Sequence, residues 1–170
     1  FYQTGFTQRH NAAVSGGTEA LSVRASIGYT DQNGVIKGTD YNNLNARLTG
    51  TSRLSSKLSM NASFNVISSN TNKTFKGEAS PMISVLTWPV VDDIRNRYTS
   101  TGARRTITGT LSAELDNPLW AMENNPNNDK VSRILGNYNI EYKPNDWLNF
   151  VLRAGTDIYT MQGLSGYHPE

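Results

Sequence analysis

The chain reads as all-β, an antiparallel meander of about six strands forming part of a transmembrane β-barrel, with one long external loop. Three observations lead there. Apolar and polar residues alternate with period two in block after block. The blocks are joined by connections that are short and long in strict turn. Finally, only 36% of the 170 residues are apolar and 18% are charged, a lean supply for a protein that must bury its own core. The polar majority is Ser, Thr, Asn and Gly, the chemistry of strands and turns and not of helices.

The first block, HNAAVSGG (10–17), is weak, with Ala12 and Val14 on its apolar side. The second is the clearest: in LSVRASIGYT (21–30), Leu21, Val23, Ala25, Ile27 and Tyr29 alternate with Ser22, Arg24, Ser26, Gly28 and Thr30. In YNNLNARLTGTS (41–52), Leu44, Ala46 and Leu48 alternate with Asn43, Asn45, Arg47 and Thr49. KLSMNASFNVI (57–67) sets Leu58, Met60, Ala62, Phe64 and Val66 against Ser59, Asn61, Ser63 and Asn65. RILGNYNIEYK (133–143) places Ile134, Gly136, Tyr138, Ile140 and Tyr142 on one side. WLNFVLRAGTDIY (147–159) does the same with Leu148, Phe150, Leu152, Ala154 and Ile158. Most blocks come near the 9 to 11 residues with which a tilted strand crosses a bilayer.

The connections separate the architectures that alternation alone leaves open. GGTE (16–19), RLSSK (53–57) and PND (144–146) are short; DQNGVIKGTDY (31–41) and the segment 69–130 are long. Tight turns at one end and extended loops at the other are what a transmembrane barrel requires. The alternative is a soluble or surface-attached β-sandwich that binds carbohydrate, in which loop length need not segregate by end. In the barrel the Leu, Ile, Phe and Tyr side faces lipid and the Ser, Asn, Gly and Arg side faces the bore. Lipid then replaces the missing core, and sheet closure satisfies the backbone.

Within the segment 69–130, the apolar pieces PMISVLTWPVV (81–91) and NPLWAM (117–122) predict a short helical turn each. Trp88, Tyr98 and Trp120 are candidates for stacking on cargo or touching a partner, although Pro89 and Pro118 favour local cores for the two tryptophans. Tyr29, Tyr142, Trp147 and Tyr159 fall at block ends, where amphipathic rings settle at a membrane interface. On the bore side, Arg24, Arg47, Arg133, Glu141, Arg153 and Asp157 are the lining candidates, pairing with bore-filling residues or with one another, as Arg153 with Glu141.

Catalysis finds no support. Cysteine is absent, His10 and His168 lie near opposite ends, and adjacent Asp92 and Asp93 point apart on any regular element. SGG (15–17) lacks the following Lys and helix of a phosphate loop. No cofactor or metal is expected. The net charge of +2 is scattered, which excludes nucleic acid as a partner.

Several segments carry a family likeness: QTG (3–5), HNAAVSGGTE (10–19), GYTDQNGVIKGTDY (28–41), NPLW (117–120) and YKPNDWLNF (142–150). In order and spacing the chain resembles the SusC/RagA family of TonB-dependent outer-membrane transporters of Bacteroidetes-type bacteria. The resemblance implies a 22-stranded barrel of which residues 1–170 supply roughly strands two to seven, starting in the first extracellular loop, with 69–130 as a long extracellular loop. It implies a plug and a TonB-contacting region outside these residues, and a SusD-like surface lipoprotein partner. Oligosaccharides or peptides are the implied cargo, and the outer membrane of a Gram-negative bacterium the implied site.

Overall fold

The computed structural model describes residues 1–77, 80–108 and 114–168. Six long strands form one antiparallel sheet: β1 (Phe6–Gly17), β2 (Leu21–Asn33), β3 (Asp40–Arg53), β4 (Leu58–Asn72), β7 (Asn127–Asn145) and β8 (Leu148–Ser165). Their spatial order is β1-β2-β3-β4-β7-β8, so every strand lies beside its predecessor in this series. Residues 73–126 form an insert between β4 and β7. It holds α1 (Pro81–Thr87), a two-stranded hairpin of β5 (Thr106–Thr108) and β6 (Glu114–Asp116), and α2 (Pro118–Asn124). The expected all-β meander is what forms.

The register explains why the alternation matters. Leu48 lies opposite Ala25 and Phe64, and Phe64 lies opposite Gly136. Directly opposed residues share a face, so the apolar set of each strand falls beside the apolar set of the next. At Gly136 the missing side chain is covered by the ring of Tyr138, whose Cε2 would lie 3.6 Å from an added Cβ. An aromatic lying over a strand glycine restores the packed surface that the glycine lacks. On the other face, Asn11 and Asn45 close over Gly28 in the same way.

No second layer covers the apolar face among the described residues. Val14, Leu48, Leu152 and Ile158 are at least half exposed. The sandwich alternative therefore does not form, because it requires those residues against another sheet.

Strand length departs from expectation. The six strands run from 12 to 19 residues, beyond the 9 to 11 that a crossing needs. The apolar band itself is shorter. It extends from Leu58 to Val66 on β4, from Tyr142 to Ile134 on β7 and from Phe150 to Ile158 on β8, and the ends of these windows lie directly opposite one another. On β2 and β3 it ends one step further, at the opposed pair Tyr29 and Leu44. Beyond that level the same face turns polar, with Ser68, Asn70 and Asn72 beside Ser132, Lys130 and Asn128. There Asn128 donates to the Oδ1 atoms of Asn70 and Asn72, each at 2.7 Å, and Asn72 donates to Asp40. The sequence blocks recorded the band; the strands overrun it at the loop end.

The buried side chains belong to the insert. Trp88 and Trp120 are its buried apolar residues, and Asn117 is fully buried. Ser80 caps α1 by accepting from Met82 N, with Pro81 at the first helical position, where its missing N–H costs nothing. Asn117 caps α2, its Oδ1 accepting from Leu119 N at 2.9 Å and Trp120 N at 3.2 Å, while its Nδ2 donates to Ile94 O at 2.8 Å. Both expected helical turns are present.

Because Asn117 ties α2 to the segment preceding β5, Asn117→Ala is expected to cost about 1 to 3 kcal/mol of local stability. Hydrogen exchange should show faster opening across α2 with unchanged protection in β4 and β7.

Candidate functional site

The six lining candidates, Arg24, Arg47, Arg133, Glu141, Arg153 and Asp157, share one face by register. Arg24 opposes Ser15 and Thr49; Arg47 opposes Ser26 and Asn65; Arg133 opposes Ile67 and Tyr159; Arg153 opposes Asn139. The structure thus gathers them on one polar wall rich in Ser, Thr and Asn. Glycines and short side chains keep the wall low between the arginines.

Charge pairing on this wall differs from the expected Arg153–Glu141 contact. Glu141 accepts from Lys143 Nζ at 2.9 Å and from Asn149 Nδ2 at 2.9 Å. Arg153 stands opposite Asn139 and is a diagonal neighbour of Glu141, on the other diagonal from the one that joins Arg133 and Asp157, and Glu141 takes its hydrogen bonds from Lys143 and Asn149. Arg133 donates its Nε to Asp157 Oδ1 at 2.8 Å in a two-pronged pair between β7 and β8. Diagonal neighbours across an antiparallel pair are within reach of long side chains, and Arg133 and Asp157 stand in that relation.

The interface aromatics divide. Tyr142 lies on the apolar face at the turn end of the band, its ring 6.4 Å from that of Phe150. Tyr29 lies on the same face at the loop end, and Trp147 occupies the β7–β8 turn, 80% exposed. The register sets Tyr159 elsewhere: it stands on the polar face beside Arg133, and its hydroxyl donates to Met161 Sδ at 3.3 Å. Its odd position in β8 shares parity with Arg153 and Asp157, the parity signal that its place near a block end concealed.

Among the loop candidates, Trp88 is 8% and Trp120 is 5% exposed, so both serve the insert's interior. Trp120 is flanked by the Arg104 guanidinium, 5.5 Å from its ring centre, and by the edge of His168. Tyr98 is exposed. Tyr98 and Trp120 meet at a cavity of about 520 Å³, shared with Arg104, Thr106, Asn124 and His168, whereas Trp88 does not reach it. A cavity of this size suits a small ligand with polar and planar parts. Arg104 and His168 contribute to it without any motif to mark them in the sequence.

The insert is braced by Asp92. Its carboxylate accepts from Trp88 Nε1 at 3.0 Å and from Arg105 Nη1 at 2.9 Å, and Arg105 also donates to Asn96 O. Asp93 turns the other way, to Arg95 Nε at 2.9 Å, so the adjacent carboxylates do point apart. The hydrogen bond from Arg105 holds the Asp92 carboxyl below the usual carboxylate range, against the opposing pull of desolvation. Among the described residues, no three His, Asp or Glu side chains converge as metal ligands would. No helix among them is long and apolar enough to cross a membrane, which says nothing of crossing by strands.

No family model matches the chain. A curated relative, the TonB-dependent receptor SusC of Bacteroides thetaiotaomicron, is 26% identical over 160 residues, covering 84% of this chain and 16% of that protein. Among solved structures, the RagAB peptide importer in its closed-closed state matches 99% of this chain and 19% of its own, with a TM-score of 0.74 at 23% identity. Its open-open state matches 96% of this chain and 18% of its own, with a TM-score of 0.71 at 24% identity. The chain therefore spans under a fifth of each, and the structural likeness establishes the fold of a barrel segment.

A carboxylate whose folded pKa is depressed stabilises the fold fully above its unfolded pKa, and that stability is lost as pH falls through the folded value. The insert should accordingly hold from neutrality to about pH 4 and loosen below it. Fluorescence of Trp88 against pH checks this, and Asp92→Asn should show the loosened signal already at neutral pH.

Proposed function

We propose that this SusC/RagA-like chain is a wall segment of a TonB-dependent outer-membrane importer, with the apolar face against lipid and the polar face lining the bore. The observation that carries the reading is the apolar band: one face only, level across the sheet, and about as long as a tilted crossing strand requires. In a soluble protein such a face would be covered. In a bilayer it is already in its preferred surroundings, provided neighbouring strands close the sheet and remove the free edges of β1 and β8.

In this orientation the three tight turns face the periplasm and the insert faces the exterior. The turns are tied together there: Arg53 N donates to Ala20 O at 2.7 Å and Lys143 N to Lys57 O at 2.8 Å. The insert offers at the external end a cavity lined by Tyr98, Trp120 and an Arg104 that is paired with Asp116, and would meet a SusD-like surface lipoprotein. Coupling to TonB belongs to regions outside these residues. The wall's amides and hydroxyls suit a cargo rich in hydrogen-bonding groups, and both oligosaccharides and peptides answer that description. No part of the chain serves as an enzyme in this reading.

Neighbouring positions on opposite faces provide the test. In the full-length protein, Phe64→Arg puts a guanidinium into lipid near mid-band, at a cost of about 2 to 4 kcal/mol. Asn65→Arg puts it into the bore. Folding into lipid vesicles, followed by heat-resistant migration on gels, should fail or weaken for the first and persist for the second. Equal tolerance of both would refute the orientation.

A further inference from the structure

We infer that the cavity between the β2–β3 connection and the insert binds a small amphipathic carboxylate, an organic acid with an apolar body, whose charged end is held by Arg97 and Lys37. The site is built by residues of this chain, so the inference stands apart from the orientation proposed above.

The cavity measures about 690 Å³, within the ordinary range of small-molecule sites. Half-buried Ile94, Leu119 and Met122 give it an apolar floor on the insert's side. Asn117 holds that floor together, because it caps the helix that carries Leu119 and Met122 and donates its Nδ2 to the carbonyl of Ile94. Lys37 and Gly38, in the turn between β2 and β3, form the facing side. Gly38 has φ +75°, a left-handed conformation that favours glycine at this bend. The hydrogen bonds of residues 34–39 run to Phe1, to Gln3 and within the turn, and among the described residues none reaches the insert. The two sides therefore face each other across an unbridged gap.

The rim is cationic and incompletely paired. Arg95 gives its guanidinium to Asp93, and Arg97 gives Nη2 to Glu123 at 2.8 Å. Arg97 Nε, however, is buried without a hydrogen-bond partner, and exposed Lys37 forms no ion pair among the described residues. A buried guanidinium N–H without an acceptor has lost its water and gained nothing, so an acceptor that enters the cavity makes a bond the fold leaves unmade. A carboxylate fits best, since it accepts from Nε and neutralises the Lys37 ammonium together. The apolar floor selects the rest of the molecule: an aliphatic or aromatic body sheds water against Ile94, Leu119 and Met122. An inorganic anion lacks that contribution, and a neutral apolar molecule lacks the ion pair. Glu123 sets the upper limit on charge, because a second carboxylate on the ligand would meet its repulsion. A bound acid joins Lys37 to the insert, so occupancy couples two loops that are otherwise held separately.

The test is equilibrium dialysis of the full-length protein in detergent micelles against 2-naphthylacetate and its uncharged analogue 2-naphthylacetamide, with protein-free micelles as the blank. The acid is expected to bind about tenfold more tightly than the amide. Arg97→Gln should weaken binding of the acid about tenfold and Lys37→Gln severalfold, both leaving the amide unmoved, while Lys37→Arg retains the affinity. Equal affinity for acid and amide overturns the proposal, as does binding of the acid no greater than to the blank. Should Arg97→Gln disturb the insert, the Lys37→Gln variant decides: Lys37 is exposed and unpaired, so its loss spares the fold, and an unchanged affinity for the acid there overturns the site.

Discussion

Everything in this chain depends on the antiparallel register that holds six strands in step. Each strand alone carries a weak pattern of period two, hardly different from that of many soluble sheets. Pairing Leu48 with Phe64, and Val66 with Ile134, aligns those patterns so that one face gathers the apolar band and the other most of the amides, hydroxyls and guanidinium groups, with Ile67, Leu135 and Val151 set among them. A slip of one residue between β3 and β4 would set Arg47 on the apolar face opposite Phe64 or Val66 and break the band. The register is therefore held by the chemistry of both faces at once, with the tight turns fixing it at one end.

The alternation made the sheet legible, since period two survives any change in length or curvature. Strand ends were less so. Asn70, Asn72, Asn128 and Lys130 look like loop residues by composition, yet they continue the ladder, because cross-strand amide hydrogen bonds and backbone pairing hold a strand after its apolar pattern stops. Tyr159 was misplaced for a related reason: closeness to a block end gave no information about face, whereas its parity with Arg153 did. Glu141 bonds to Lys143 and Asn149 instead of Arg153, because those two lie by the β7–β8 turn beside it, and the order of charges along the chain does not reveal which neighbour is taken.

Within the insert, the apolar pieces 81–91 and 117–122 marked both helices, and the burial of Trp88 and Trp120 follows the reading of Pro89 and Pro118 beside them as signs of local cores. The assembly around them was not visible. Asp92, Arg105 and Asn96 come together across 9 to 13 residues, and Arg104, Trp120 and His168 across a longer stretch, through contacts that follow no regular spacing. Such clusters arise from how a long segment folds back on itself, which local chemistry does not encode.

The overrun of the strands beyond the apolar band has a mechanical meaning. From Val66 to Asn72 the ladder continues for about six residues, roughly 20 Å along the strand at 3.3 Å per residue. In the proposed orientation that stretch is a pedestal of paired strands between the apolar band and the insert. The described part of the insert carries its own interior in Trp88 and Trp120, and in the proposed orientation it needs no lipid to bury them.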